Sequence, residues 1–97
     1  MMVLVSYDVS TKTPVGRRRL RKVAEACLDY GQRAQNSVFE CPVDPAQWVL
    51  LKNELLNVYE PKEDSLRFYF LGSKWQNKVE HFGVKKVLDL EKDSLVV

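Results

Sequence analysis

A chain of 97 residues is long enough for one two-layer core and too short for two. Its 45% hydrophobic and 29% charged residues are ordinary for a globular protein, and a net charge of +2 excludes a uniformly basic coat. No apolar run approaches the ~20 residues that span a bilayer and no signal pattern opens the sequence, so a cytoplasmic protein without membrane contact is expected.

Val3, Val5 and Tyr7 alternate with Leu4, Ser6 and Asp8, and both faces stay apolar as far as Ser6. That pattern predicts a central strand covered on both sides, with Asp8 at its C-terminal end on the face of Leu4 and Ser6. Thr13-Pro14 is a helix start, a hydroxyl cap followed by a residue whose missing N–H costs nothing there. Leu20, Val23, Ala24, Cys27 and Leu28 then form one apolar stripe, and Gly31 is expected to stop the helix. The segment from Arg33 to Val43 is strand-like, and Asn36-Ser37 makes it either one kinked strand or a very tight hairpin.

Asp44-Pro45 repeats the cap-plus-proline signal, with Gln47 where a capping box needs it. Trp48, Leu51, Leu55, Val58 and Tyr59 give the second helix its core stripe, and Glu60-Pro61 ends it. Ser65 to Leu71 is a third strand with Leu66, Phe68 and Phe70 on one face, and Val79 to Val84 a further short one. This order predicts an α+β fold, a ferredoxin-like βαββαβ sandwich over residues 1–84 with an extra C-terminal strand. Two helices cover one sheet face. The chain has no third layer for the other, so a homodimer is expected. The tail 85–97 carries no motif and is assigned to packing on the partner subunit.

Arg17, Arg18, Arg19, Arg21 and Lys22 put five cations into positions 17–22, with no acid among them. Cations early in a helix oppose its macrodipole by ~0.3–1 kcal/mol each near the first turn. Arg17 with Arg21, and Arg18 with Lys22, are like-charge pairs one turn apart. Such a helix works against its own stability, and free N–H groups with arginines form a phosphate site. A plain solvated face is the competing reading. Asp8 alone reads as a turn cap or as half of a Mg²⁺ site that a two-fold axis would complete. Cys27 and Cys41 fit no zinc or redox spacing, and His81, the single histidine, has no ligand partner in sequence. A small-molecule regulatory domain of the same fold is the reading outside nucleic-acid chemistry.

YDVS at the first strand end, the RRRLRKVAEACLDYG helix, RAQNSVFEC after it and the SLRFYFLG strand together resemble the CRISPR-associated (Cas) protein two family. The resemblance runs from Met2 to about Val84. It implies a ferredoxin-like homodimer in which Asp8 of both subunits binds Mg²⁺ or Mn²⁺ across the dimer axis. It also implies a metal-dependent endonuclease on double-stranded DNA or single-stranded RNA, and a DNA-binding subunit of the spacer-acquisition complex beside the CRISPR integrase. The alternative it carries is a non-catalytic scaffold bridging integrase dimers. By position, Tyr7 and Asp8 match the catalytic strand-end motif, and Arg19 and Arg21 are the best-matched helix cations. Arg33 joins the nucleic-acid-binding set, with Ser37 and Phe39 as supporting residues.

Overall fold

β1 (Met2–Asp8) is the central strand of a five-stranded sheet in the computed structural model, which describes residues 1–71 and 79–84. β3 (Val38–Pro42) and β4 (Ser65–Leu71) flank it, and β2 (Gln32–Gln35) and β5 (Val79–Gly83) form the edges. Every pairing is antiparallel, in the order β2-β3-β1-β4-β5. This is the expected α+β, ferredoxin-like sheet with an added edge strand. The tail 85–97 lies outside the described residues. Among those that are described, no helix is long and apolar enough to cross a membrane.

The choice left open at Asn36-Ser37 resolves as a hairpin, with a register shift between Arg33 and Gln35. α1 (Pro14–Leu28) opens as its sequence predicts, with the Thr13 hydroxyl accepting the Gly16 N–H at 3.1 Å. α2 (Pro45–Val58) carries a complete capping box between Asp44 and Gln47.

The two helices lie over the face of β1 that presents Val3, Val5 and Tyr7, all fully buried. Val23, Ala24, Ala26 and Cys27 from α1 meet Trp48, Leu51 and Leu55 from α2 over Phe39, Leu66 and Phe68. Trp48 stands edge-on to Phe68 and Phe70, with ring centroids 4.7 and 5.3 Å away, a favoured aromatic geometry. The predicted stripe of α1 differs at its end. Leu28 is 46% exposed and Ala26 is buried, because the face that α1 turns to the core is centred on Val23 and Cys27 and so reaches Ala26 on one side before Leu28 on the other.

Gly31 does not act as a left-handed helix stop. α1 is capped by Asp29 in a right-handed conformation, and the single positive φ among the described residues belongs to Gly83. Gly31 instead admits a close approach, since a Cβ there would lie 1.9 Å from the Glu40 carbonyl oxygen. The glycine therefore seats the start of β2 against β3 rather than ending α1.

The basic helix and the β1 strand end

Asp8 closes β1 on the sheet face away from the helices, is itself exposed, and is the cross-strand partner of Ser65. The loop after it folds back onto α1. A Cβ on Gly16 would lie 1.9 Å from the Ser10 carbonyl oxygen, so glycine at this position lets the loop sit against the first turn. Arg17 reinforces the contact by donating to the Thr11 carbonyl at 2.9 Å. The loop that follows β1 is thereby folded onto the first turn of α1.

The core side of the same strand end holds a buried polar cluster. Asp64, fully buried just before β4, accepts the Tyr7 hydroxyl and the Arg19 Nε (2.9 Å) on Oδ2, and Arg19 Nη2 (3.0 Å) on Oδ1. The Glu60 backbone N–H adds a further bond to Oδ2 at 2.9 Å. Burial works to raise the Asp64 carboxyl, but Arg19, the Tyr7 hydroxyl and the Glu60 N–H together hold it below its ordinary value. The same burial, followed by the carboxylate beside it, pushes the Tyr7 phenol well above the usual tyrosine range. The hydrogen bond to Asp64 keeps the Arg19 guanidinium charged. The carboxylate is thus a fixed anion, the phenol a fixed donor and the guanidinium its counter-ion.

These contacts divide the predicted site residues into groups. Tyr7 and Asp8 are neighbours in sequence, but strand alternation sends Tyr7 into the core and Asp8 to the opposite face. Arg19 is turned inward, its side chain only 15% exposed, and Glu63 adds a second, peripheral contact at 3.4 Å. Arg17, Arg18, Arg21 and Lys22 are exposed, and none forms an ion pair among the described residues. Arg18 and Lys22, with Val15, Arg19, Asn57 and Val58, line a groove of about 200 Å³ between the helices.

Arg33 lies elsewhere, on the β2 edge. Its guanidinium sits 5.2 Å from the centre of the Phe39 ring and donates to the Asn36 carbonyl at 3.3 Å, bracing the hairpin. Phe39 is fully buried, and the Ser37 carbonyl accepts the Tyr7 N–H at 2.9 Å. His81 accepts from Arg67 at Nδ1 (3.0 Å from Nε), and its Nε2 lies 2.7 Å from the Val84 carbonyl, so the neutral Nε2–H tautomer satisfies both contacts. Asp64 has no counterpart in the sequence reading. An acid in a polar turn before a strand is indistinguishable there from a solvated one.

A divalent cation needs several oxygen ligands, and no cluster of three His, Cys, Asp or Glu side chains occurs among the described residues. At the β1 end one chain offers Asp8, with hydroxyl side chains at Ser6, Ser10 and Ser65 nearby in sequence or register. That set is all oxygen, as Mg²⁺ prefers, and among the described residues it holds a single carboxylate.

A sequence model described as "CRISPR associated protein Cas2" matches residues 1–79. A "CRISPR-associated endoribonuclease Cas2" of Chlorobaculum tepidum is 67% identical over 94% of this chain and 95% of its own length. A "CRISPR-associated endonuclease Cas2" of Halalkalibacterium halodurans is 55% identical over 94% and 95%. The crystal structure of Streptococcus pyogenes Cas2 at pH 6.5 superposes with a TM-score of 0.72 at 60% identity, covering 86% of this chain and all of that one. The strand-end YD motif, the basic helix and the five-stranded sheet thus occur together in a chain that belongs to the CRISPR-associated Cas2 family.

Proposed function

We propose that this chain is a CRISPR-associated endonuclease that hydrolyses the phosphodiester backbone of nucleic acid as a homodimer, with Mg²⁺ or Mn²⁺ held between two Asp8 carboxylates. The observation that carries this reading is the strand end together with the basic helix. An exposed carboxylate ends the central strand, and the loop after it folds onto a helix whose outward cations form no ion pair among the described residues. A cation bound at Asp8 supplies Lewis acidity toward a water and toward a phosphoryl oxygen. Arg18, Arg21 and Lys22 hold the backbone phosphates and offset charge that develops on them. Asp8 orients the site from a rigid strand rather than from a loop.

The names of the two relatives above, one an endoribonuclease and one an endonuclease, support cleavage of nucleic acid, and the first names RNA. The decisive assay compares wild type with Asp8→Ala on duplex DNA and single-stranded RNA, in Mg²⁺ or EDTA. The expected result is cleavage that falls at least ~100-fold in the variant and in EDTA, with folding intact. Undiminished cleavage by pure Asp8→Ala refutes the site.

A second reading, a DNA-binding scaffold beside the integrase of the spacer-acquisition complex, is favoured by one asymmetry. Among the described residues, one chain carries the outward cations Arg18, Arg21 and Lys22 together, whereas it offers a single carboxylate at the β1 end. Retained duplex binding by a cleavage-dead Asp8→Ala protein that still supports spacer acquisition is the outcome that selects it.

A further inference from the structure

We infer that Asp64 is a positioning residue for Asp8, acting through the Tyr7 hydroxyl to fix where the end of β1 presents its carboxylate. The inference rests on the Asp8 reading given above.

The ladder explains why the strand end needs such a device. Pairing of β1 with β3 stops at Ser6 and Val38, and the Tyr7 N–H reaches past it to the Ser37 carbonyl. Asp8 therefore lies beyond the last β3 partner in the ladder, opposite Ser65 on β4. The end of a strand, where one of its ladders has already stopped, is a natural place for local opening. Tyr7, the residue before it, is pinned at its side chain by the carboxylate of Asp64, which directly precedes Ser65. The residue that anchors Tyr7 is thus adjacent to the cross-strand partner of Asp8.

Asp64 is itself immobilised from several directions. Arg19 binds both carboxylate oxygens, the Glu60 N–H binds one, and the Asp64 carbonyl accepts the Val84 N–H at 2.7 Å. Gly83 has φ +102°, and a Cβ there would lie 2.0 Å from that same carbonyl oxygen, so the end of β5 also closes onto Asp64. One buried residue therefore ties α1, the α2–β4 connection, β1 and β5 to a single point. A buried ion pair with a phenol is a poor device for stability alone, since apolar residues of similar volume often serve as well or better. What the cluster adds is a fixed geometry. A carboxylate that must meet its two-fold mate around one cation needs that geometry to within a fraction of an ångström.

The test uses the full-length protein, with Tyr7→Phe and Asp64→Asn as variants and Asp8→Ala as control. Tyr7→Phe leaves Arg19 and the Glu60 N–H on Asp64, so the carboxylate keeps partners. Three quantities are read: amide hydrogen exchange at residues 7–9, Mn²⁺ affinity by electron paramagnetic resonance, and kcat and KM on duplex DNA and RNA. In wild type, the Tyr7 and Asp8 amides should exchange only as slowly as the core of β1. In Tyr7→Phe their exchange should accelerate at least tenfold, Mn²⁺ affinity should fall about tenfold, and kcat should fall by a similar factor with KM within twofold. A role confined to stability lowers the melting temperature but moves neither Mn²⁺ affinity nor kcat below it.

Wild-type Asp8 exchanging by local fraying overturns the inference without any variant, and so covers variants that do not fold. Tyr7→Phe binding Mn²⁺ and cutting as wild type does, while Asp8→Ala is silent, overturns the inference alone. Mn²⁺ affinity and cleavage equal in wild type and Asp8→Ala overturn the Asp8 reading and the inference with it.

Discussion

Replacing Arg19 with Ala should damage the fold more than any other single change in the basic block. The Asp64 carboxylate is fully buried and takes two of its hydrogen bonds from that guanidinium, at 2.9 and 3.0 Å. Removing one member of a buried pair leaves the other uncompensated, at about 3–5 kcal/mol. The Tyr7 hydroxyl and the Glu60 N–H remain, which places the expectation nearer the lower figure. The Glu63 contact adds little, because that side chain is 64% exposed. A domain of this size has about 5–15 kcal/mol in all, so the loss is a large fraction of the total. Arg18→Ala on the outward face should stay within about 0.5 kcal/mol of wild type. Urea denaturation at matched protein concentration, in EDTA, measures both. The gap between the variants should persist in 0.5 M salt, because buried pairs are screened far less than surface ones. Arg19→Ala within ~1 kcal/mol of wild type would refute the argument that this arginine is a structural counter-ion.

Three further outcomes follow from the same geometry. Arg18→Ala, Arg21→Ala and Lys22→Ala together should reduce the slope of log binding constant against log salt by about 2–3, measured on duplex DNA and single-stranded RNA. The melting temperature of that protein should hold or rise, since the changes remove like-charge repulsion; an unchanged slope rejects this face as the backbone site. Gly83→Ala should cost at least ~1–3 kcal/mol by thermal melting, because φ is +102° and the new Cβ meets the Asp64 carbonyl oxygen. A melting point equal to wild type contradicts the tight closure of β5 on Asp64. Tyr7 holds its proton more tightly folded than unfolded, so its contribution is complete below pH ~10 and lost as pH rises through the raised folded value. Absorbance titration near 295 nm should show one tyrosine ionising only as the protein unfolds, a phase absent from Tyr7→Phe.

Much of this molecule is legible in its sequence because the signals are local. Thr13-Pro14 and Asp44-Pro45 with Gln47 fix two helix starts by hydrogen bonds within a few residues, and the structure forms each of them. Alternation places Val3, Val5 and Tyr7 inside and Asp8 at the exposed end. What the sequence hides depends on contacts distant along the chain. Gly31 looks like helix punctuation, yet it, like Gly16, serves the approach of a carbonyl from another segment. Arg19 is chemically identical to its neighbours in the basic block. It differs because its helical position turns it toward an acid at position 64. Nothing local to Asp64 records that it is buried.

The division of the basic block also clarifies the chemistry asked of this site. Five cations in six positions suggest one undifferentiated phosphate grip. Arg19 is instead neutralised from within by Asp64, and Arg17 is partly engaged by the Thr11 carbonyl. Arg18, Arg21 and Lys22 keep their charge toward solvent. β1 makes the corresponding division between carboxylate systems. Tyr7 leads inward to an Asp64 whose buried partners favour its ionised form, and Asp8 leads outward to an exposed carboxylate on the opposite sheet face. Two such Asp8 groups brought together without a cation repel one another, and a bound cation relieves the repulsion. Mg²⁺ should therefore strengthen the wild-type dimer and leave Asp8→Ala unaffected. That comparison reports the site independently of whether any phosphodiester is cut.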